Sequence, residues 1–164
     1  MRSMKQNLKR IELELQNPHS FDSVPNQANC QNWVAAAIQN SSQDLSIVIR
    51  FVDAEESQEL NSHYRHKDAP TNVLSFPFEM PDIPELLDEP KHLGDLVLCE
   101  PIVLREAEEQ NKDVLQHWSH LIIHGALHLQ GYDHIDADAA DVMESLEIKI
   151  LDSLGFENPY DAAV

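Results

Sequence analysis

The segment HGALHLQGYDH, residues 124–134, constrains the fold more than any other stretch of the chain. His124 and His128 are four residues apart, so an α-helix places their imidazoles on one face, one turn apart. Gly131 suits the left-handed conformation that ends a helix, after which the chain can turn back and bring His134 to the same point. We therefore expect a helix, a tight turn and three converging imidazoles.

Three neutral imidazoles that leave a fourth position open are typical of a catalytic metal ion, whereas a structural zinc ion is normally enclosed by four ligands. The alternative is a set of satisfied core histidines on an amphipathic helix. That alternative suits a lone histidine better than this cluster, because five of the nine histidines lie between His117 and His134. We expect one ion per chain on His124, His128 and His134. The pattern alone admits zinc, nickel, copper, manganese or iron.

The three histidines and Gly131 stand in the register of the metzincin motif HExxHxxGxxH, but Gly125 replaces the glutamate. In zinc proteases that glutamate takes a proton from water and passes it to the leaving amine. Gly125 has no group for either transfer. Cleavage of a phosphodiester depends instead on stabilising negative charge on phosphoryl oxygens, which a metal ion and an arginine can do. The pattern therefore favours phosphoryl chemistry over peptide hydrolysis.

Four further residues near this motif or before it are candidates, each with an alternative interpretation. His117 and His120 extend the histidine stripe by two turns. Each is expected to be a surface histidine or to form a hydrogen bond that supports a metal ligand. His120 is also a candidate for proton transfer. Asp133 either orients a ligand imidazole, is solvated, or caps the next helix. Arg65 precedes the rigid Pro70-Thr71-Asn72 turn and is either the arginine of the site or a surface cation paired with a carboxylate.

The chain is strongly acidic, with 11 Lys and Arg against 29 Asp and Glu and a formal net charge of −18. This balance by itself argues against nucleic-acid binding, which needs clustered cations. The acidic excess is marked after Tyr132, however. The overall charge does not exclude a local basic surface in the middle of the chain. That part of the chain holds Arg50, Arg65, Lys67, Lys91, Arg105 and Lys112.

The length of 164 residues and the apolar content of 42% predict a single domain over residues 1–164. Cys30 and Cys99 lack the spacing of a thiolate metal site and are expected to be reduced core thiols. The N-terminus lacks the apolar run of a signal peptide, and no stretch has membrane-spanning length. We therefore expect a cytoplasmic protein.

Hydrophobic periodicity predicts the order β-α-β-α-β-β followed by helices. The predicted elements before the helical region are strands over 11–15, 45–53, 73–76 and 94–99 and helices over 26–39 and 54–65. A surface loop is predicted from Pro77 to Pro90. The pattern from Pro101 to Leu154 is helical except at GYDH, and the apolar arc of its central helix comprises Val114, Leu115, Trp118, Leu121, Ile122 and Leu129. This order of elements predicts an α/β or α+β domain with a small sheet and a C-terminal helical layer.

Three segments together resemble one protein family. YRHKDAPTNVLSFPF, LGDLVL and HGALHLQGYDH, in this order and spacing, resemble the YbeY family of bacterial endoribonucleases and ribosomal RNA maturation factors. The resemblance extends from the LSIVIRFVD strand to LGFENPY. Asn72 stands where many relatives have aspartate, whereas the histidines and Arg65 match the family.

The resemblance implies a mixed four-stranded sheet packed with about five helices, zinc on His124, His128 and His134, and Arg65 as the functionally important arginine. It also implies a single-strand-specific metallo-endoribonuclease in 3′-end maturation of small-subunit (16S) ribosomal RNA and in ribosome quality control. Its partners would be ribosomal RNA and the small subunit, and neither DNA nor a membrane. Because the chain is acidic, we expect ribosomal proteins or a maturation GTPase to present the substrate. The rival hypotheses are a metal-dependent hydrolase of another substrate and a non-catalytic assembly factor stabilised by a metal ion.

Overall fold

The structure is a computed structural model that describes residues 10–39, 44–78, 91–133 and 135–160. Within these ranges the chain forms, in order, β1 (Ile11–Gln16), α1 (Gln27–Ala37), β2 (Leu45–Val52), α2 (Ala54–Arg65), β3 (Val73–Pro77), β4 (Lys91–Cys99), α3 (Glu100–Glu109), α4 (Val114–Leu129) and α5 (Ala137–Ser153). None of these described helices is long and apolar enough to cross a membrane.

The four strands form one mixed sheet in the order β1-β2-β4-β3. The strands β1, β2 and β4 are parallel, and β3 runs antiparallel to β4 along one edge. In β2 the side chains of Ile47, Ile49 and Phe51 alternate towards one face and are fully or almost fully buried. The predicted α/β fold, with a mixed four-stranded sheet and five helices in the described ranges, is confirmed.

The main core lies between this face of the sheet and the helices α1, α4 and α5. The helix α4 is central, since it contacts α1, α3, α5, β3 and β4. Its Trp118 ring meets Phe51 of β2 edge to face with ring centroids 5.4 Å apart. Full burial of one large apolar side chain contributes about 1.5–3 kcal/mol, so this layer accounts for much of the folding free energy.

The opposite face of the sheet carries α2 and a smaller apolar cluster. Leu74 of β3 and Val97 of β4 belong to this cluster, and Leu60 of α2 packs against it. The helices α2 and α4 therefore lie on opposite sides of the β3–β4 edge.

The element boundaries differ from the predicted ones where caps and sheet partners decide them. The helix α1 covers less than 26–39, because Asn26 is its N-cap and accepts a hydrogen bond from the Asn29 backbone N–H. The strand β4 begins at Lys91 rather than 94, because it follows β2 as a parallel partner. The predicted helical run after Pro101 is wrong at residues 110–113, where Asn111 adopts a left-handed φ of 56° and Asp113 caps α4. The predicted loop from Pro77 to Pro90 lies largely outside the described residues.

Burial confirms some of the predicted core and corrects the rest. Cys30 and Cys99 are buried and free, as predicted. On α4, Trp118, Leu121, Ile122 and Leu129 are buried, but Val114 and Leu115 are exposed because they lie in the first turn, at the open end of the helix.

Gly125 marks the closest approach of α4 to the sheet. A Cβ atom at this position would lie 2.7 Å from Leu96 Cδ2 of β4 and 3.3 Å from Ser75 Oγ of β3. Leu96 is itself fully buried, so its side chain has little freedom to move away. The residue therefore has a packing role, because a larger side chain, glutamate included, would push α4 off the strands.

We predict that Gly125→Ala lowers the free energy of unfolding by about 1–3 kcal/mol, because overpacking outweighs the better helix propensity of alanine. Denaturant unfolding of the native protein and the variant measures the difference. The loss should shrink in a Leu96→Ala background, where the added methyl group finds room. A Gly125→Ala variant as stable as the native protein would contradict the packing role.

A partly buried polar link joins α3 to α4 and to the start of β3. The Glu106 carboxylate accepts hydrogen bonds from His117 Nε2 at 2.9 Å and from Asn72 Nδ2 at 3.1 Å. His117 is therefore buried and paired with Glu106, which excludes the surface interpretation of this histidine. Burial by itself raises the pKa of Glu106, but the hydrogen bonds from His117 and Asn72 outweigh it and lower the pKa.

A carboxylate with a lowered pKa stabilises the fold above its unfolded-state pKa of about 4.3 and loses that contribution as the pH falls through its folded pKa. We therefore predict that Glu106→Gln has a lower free energy of unfolding than the native protein at neutral pH. The difference between the two free energies, the stability gap, should narrow below about pH 4. Denaturant unfolding at both pH values measures the gap. A gap that stays constant on acidification would show that the charge of Glu106 contributes nothing.

Candidate metal centre

His124 and His128 face each other in the last turns of α4. Their Nε2 atoms are 3.0 Å apart and their ring planes are nearly perpendicular, at 82°. Helical spacing of four residues produces this pairing without distortion of the backbone. Two zinc ligands with Zn–N bonds of about 2.0–2.1 Å in a tetrahedral arrangement have nitrogens about 3.3 Å apart. The pair therefore fits two ligands of one ion.

A buried carboxylate holds this pair from behind. Glu147 of α5 is fully buried, and its Oε1 atom accepts a hydrogen bond from His124 Nδ1 at 2.9 Å. Its Oε2 atom accepts from His120 Nε2 at 2.8 Å and from the Tyr160 hydroxyl at 2.7 Å. Burial alone raises the pKa of Glu147, but the hydrogen bonds from His120 and His124 outweigh it and hold the pKa at about 2. Glu147 is thus an ionised acceptor for three donors.

The bond to Glu147 selects the tautomer of His124. A neutral imidazole carries one N–H and one lone pair, so a proton on Nδ1 leaves the lone pair on Nε2. That lone pair points to the His128 side. Carboxylates support metal-binding histidines in this way in many metalloproteins.

A second arrangement of donors lies in the same place. Within the described residues His120, His124 and Glu147 place one donor atom each within 4.8 Å of one another, close enough to hold an ion. An ion there would need the Nδ1 lone pair of His124 and a free carboxylate oxygen. The hydrogen-bond distances to Glu147 instead favour Nδ1 as a donor and leave Nε2 for the ligand role.

His120 belongs to this support. Burial lowers its pKa and outweighs the opposing effect of Glu147, so the ring is held neutral with Nε2 donating to the carboxylate. It does not line the cavity that His124 and His128 face. Its proton-transfer role therefore stays a prediction, and its contact fits support of His124.

The turn after α4 brings the chain back over the helix end. Gly131 has a φ of 99°, as predicted for the residue that ends the helix, and the Tyr132 N–H donates to the Leu127 carbonyl. Asp133 lines the cavity beside the histidines. Its capping alternative is wrong, because Asp136 is the N-cap of α5. His134, the third predicted ligand, lies outside the described residues, between Asp133 and Ile135.

Arg65 reaches the same cavity from the other side of the sheet edge. It is the last residue of α2, which ends there because His66 is a left-handed C-cap with a φ of 59°. The cavity has a volume of about 560 Å³ and is lined by Arg65, Thr71, Asn72, Val73, Ser75, Pro77, His124, His128, Gly131, Tyr132 and Asp133. Residues that are far apart in sequence thus form one concave site.

The sequence analysis did not identify Glu147 and Tyr160. A signal for Glu147 was present, since Met143, Glu147, Ile150 and Leu151 follow helical spacing and form the buried stripe of α5. An acidic residue in an apolar stripe needs a buried partner, and histidines on a neighbouring helix can supply one. Tyr160 carries no comparable signal.

We predict that Glu147→Gln weakens zinc binding about 10- to 100-fold, because an amide cannot accept from all three donors and no longer selects the His124 tautomer. Competition with a chromogenic chelator measures the affinity, and thermal unfolding of the metal-free protein reports the cost to the fold. The matched control is Glu108→Gln, the same change at an exposed position of α3. Native zinc affinity in Glu147→Gln would refute the supporting role.

Known proteins match this chain over most of its length. The family model for Endoribonuclease YbeY matches residues 14–155. The Endoribonuclease YbeY proteins of two Coxiella burnetii strains, Dugway 5J108-111 and RSA 331, are each 48% identical over 155 residues, which covers 92% of this chain and 99% of the relative.

The solution structure of TM1509 from Thermotoga maritima superposes with a TM-score of 0.51 at 23% identity and covers 92% of this chain and 99% of that chain. At this identity the likeness concerns the fold. The family match over residues 14–155 spans the histidine motif, Arg65 and the strands β2, β3 and β4, so the chain belongs to the Endoribonuclease YbeY family.

Proposed function

We propose that this protein is a zinc-dependent endoribonuclease that cleaves single-stranded RNA during 3′-end maturation of small-subunit (16S) ribosomal RNA and in ribosome quality control. The observation that carries the proposal is the cavity that Arg65, His124 and His128 line together. His124, His128 and His134 are the proposed ligands. Family membership supports the RNA-cleaving activity.

The residues of the cavity suit a phosphodiester. Arg65 presents a planar guanidinium that can pair with two phosphoryl oxygens at once and stabilise the charge that builds up on them. Its position in the last turn of α2 also suits a cation, since the helix C-terminus is partly negative. When bound, the zinc ion supplies Lewis-acid stabilisation of the same phosphoryl charge. Glu147 keeps the His124 lone pair directed to the ligand position.

The position of Gly125 argues against peptide hydrolysis. Its backbone packs against Leu96 and Ser75 rather than lining the cavity, so the packing leaves no room for a glutamate at this position. Among the described residues that line the cavity, Asp133 carries the carboxylate; it belongs to the turn and is proposed to orient a ligand imidazole.

The charge of the protein shapes how it meets RNA. With a net charge of −18, it should bind free RNA weakly and with strong salt dependence. We propose that the small subunit presents the single-stranded segment, with ribosomal proteins or a ribosome-maturation GTPase as partners. The cytoplasm, where ribosomes mature, is the proposed location.

We predict that Arg65→Glu reduces cleavage of a single-stranded ribosomal RNA fragment about 100-fold or more, because the transition-state charge loses its cationic partner. Zinc content and melting temperature should stay native, since the Arg65 side chain is exposed. The matched control, Arg105→Glu, makes the same charge change on the exposed face of α3 and should cleave normally.

The possible outcomes separate the hypotheses. Normal cleavage by a folded, zinc-loaded Arg65→Glu variant would remove Arg65 from the mechanism. Absence of RNA cleavage in the native zinc protein would refute the nuclease and leave an assembly factor or a hydrolase of another substrate. The cleaved ends identify the nucleophile, since a cyclic phosphate marks the RNA 2′-hydroxyl and its absence throughout the reaction marks water.

A further inference from the structure

A second cavity lies on the opposite face of the sheet from the candidate metal centre. It has a volume of about 430 Å³ and is formed where α2 crosses β2, β4 and β3. Leu60 and Val97 give it apolar walls, and Arg50 and Asp95 place polar groups at its sides. The proposed mechanism uses none of these residues.

Neighbouring residues connect the two cavities around the edge strand β3. In the last turn of α2, Tyr64 lines the second cavity whereas Arg65 lines the first. On β3, Phe76 lines the second cavity whereas Ser75 and Pro77 line the first, because side chains alternate along a strand. A bound chain that contacts Arg65 therefore needs to pass only one edge strand to enter the second cavity.

An exposed aromatic ring stands at this crossing. Tyr64 is 59% exposed, and its ring contacts Phe76 edge to face with centroids 5.1 Å apart. The ring of His63 contacts Tyr64 edge to face as well, with centroids 4.6 Å apart. Two ring neighbours limit the orientation of Tyr64 and leave part of its surface to solvent. Ordered, exposed aromatic rings are the surfaces on which unpaired bases stack.

The charge of the second cavity selects a base rather than a phosphate. Arg50 is held by Glu56 at 2.6 Å, so its charge is already neutralised. Asp95, whose Oδ1 lies 2.9 Å from His92 Nε2, adds a carboxylate that would repel a phosphate group. A neutral nucleobase meets no such repulsion. The carboxylate of Asp95 can accept a hydrogen bond from an amino group of adenine, cytosine or guanine.

We infer that the second cavity binds one unpaired base of the RNA strand whose phosphodiester lies at Arg65, with Tyr64 as the stacking surface. The inference rests on the proposed function and assigns a specificity-determining residue to it. A base in a duplex is already stacked and paired, so only a single strand can fill the cavity. The second cavity thus supplies a structural basis for single-strand specificity.

The test combines Tyr64→Ala with RNA oligonucleotides in which each nucleotide in turn is made abasic. We expect Tyr64→Ala to weaken binding of intact RNA, so that the KM and the dissociation constant Kd each rise about 10-fold. The kcat, the zinc content and the melting temperature should stay unchanged. Tyr64→Phe keeps the ring and should behave as native. The matched control is Val142→Ala, which truncates a side chain of similar exposure, 58%, on α5.

At one position, an abasic nucleotide should raise the Kd of the RNA for the native protein by the same factor of about 10. The same oligonucleotide should cause no further rise in Kd with Tyr64→Ala, because the base and the ring contribute one shared contact. Native Kd and KM in Tyr64→Ala would overturn the inference, and so would losses that add at every abasic position. Weaker binding to the ribosomal subunit with unchanged binding to free RNA would assign the cavity to a protein partner and also overturn it. Because Kd is measured without cleavage, a native protein that binds RNA through Tyr64 but does not cut it would refute only the proposed nuclease.

Discussion

The close packing of α4 on the β3–β4 edge is the constraint on which the candidate site depends. Without a side chain at Gly125, the helix backbone approaches Leu96 and Ser75 directly. This contact fixes the distance between the helix and the strands, and therefore the depth of the cavity that His124 and His128 share with β3. The absence of a side chain at Gly125 thus both excludes the glutamate that a protease would use as a base and sets the geometry of the site. Both the packing of α4 and the proposed chemistry therefore require a residue without a side chain at this position.

The buried carboxylate of Glu147 is the second structural requirement of the site. An ionised carboxylate without partners is very costly in a protein interior. Here three hydrogen bonds, from His120, His124 and Tyr160, satisfy it, and its pKa stays low despite burial. The network joins α4, α5 and the segment after α5 to one point, so the orientation of a proposed ligand is coupled to the packing of the core. Such buried networks stabilise one arrangement because each partner left unpaired would carry a large cost.

The edge position of β3 explains how α2 and α4 contribute to one site from opposite faces of the sheet. Strand order places β3 outside β4, so only one strand separates the end of α2 from the end of α4. Arg65 lines one cavity and Tyr64 the other because consecutive residues of the last helical turn point in different directions. An edge strand therefore provides two adjoining surfaces that a single extended ligand can reach.

The sequence by itself determined most of the elements, and it predicted His124, His128 and His134 as the donor set. Hydrophobic periodicity and Pro101 predicted most strands and helices, and the spacing of His124, His128 and Gly131 predicted the helix and its turn, since these are local properties of the backbone. Only the tertiary structure decided the partners: Glu147 behind His124, Glu106 beside His117, Arg65 in the same cavity and Gly125 against Leu96. Each of these contacts joins residues from different elements, and local periodicity carries no information on which elements meet. The physical reason is that helix and strand patterns follow from neighbouring residues, whereas the choice of partner follows from the packing of the whole core.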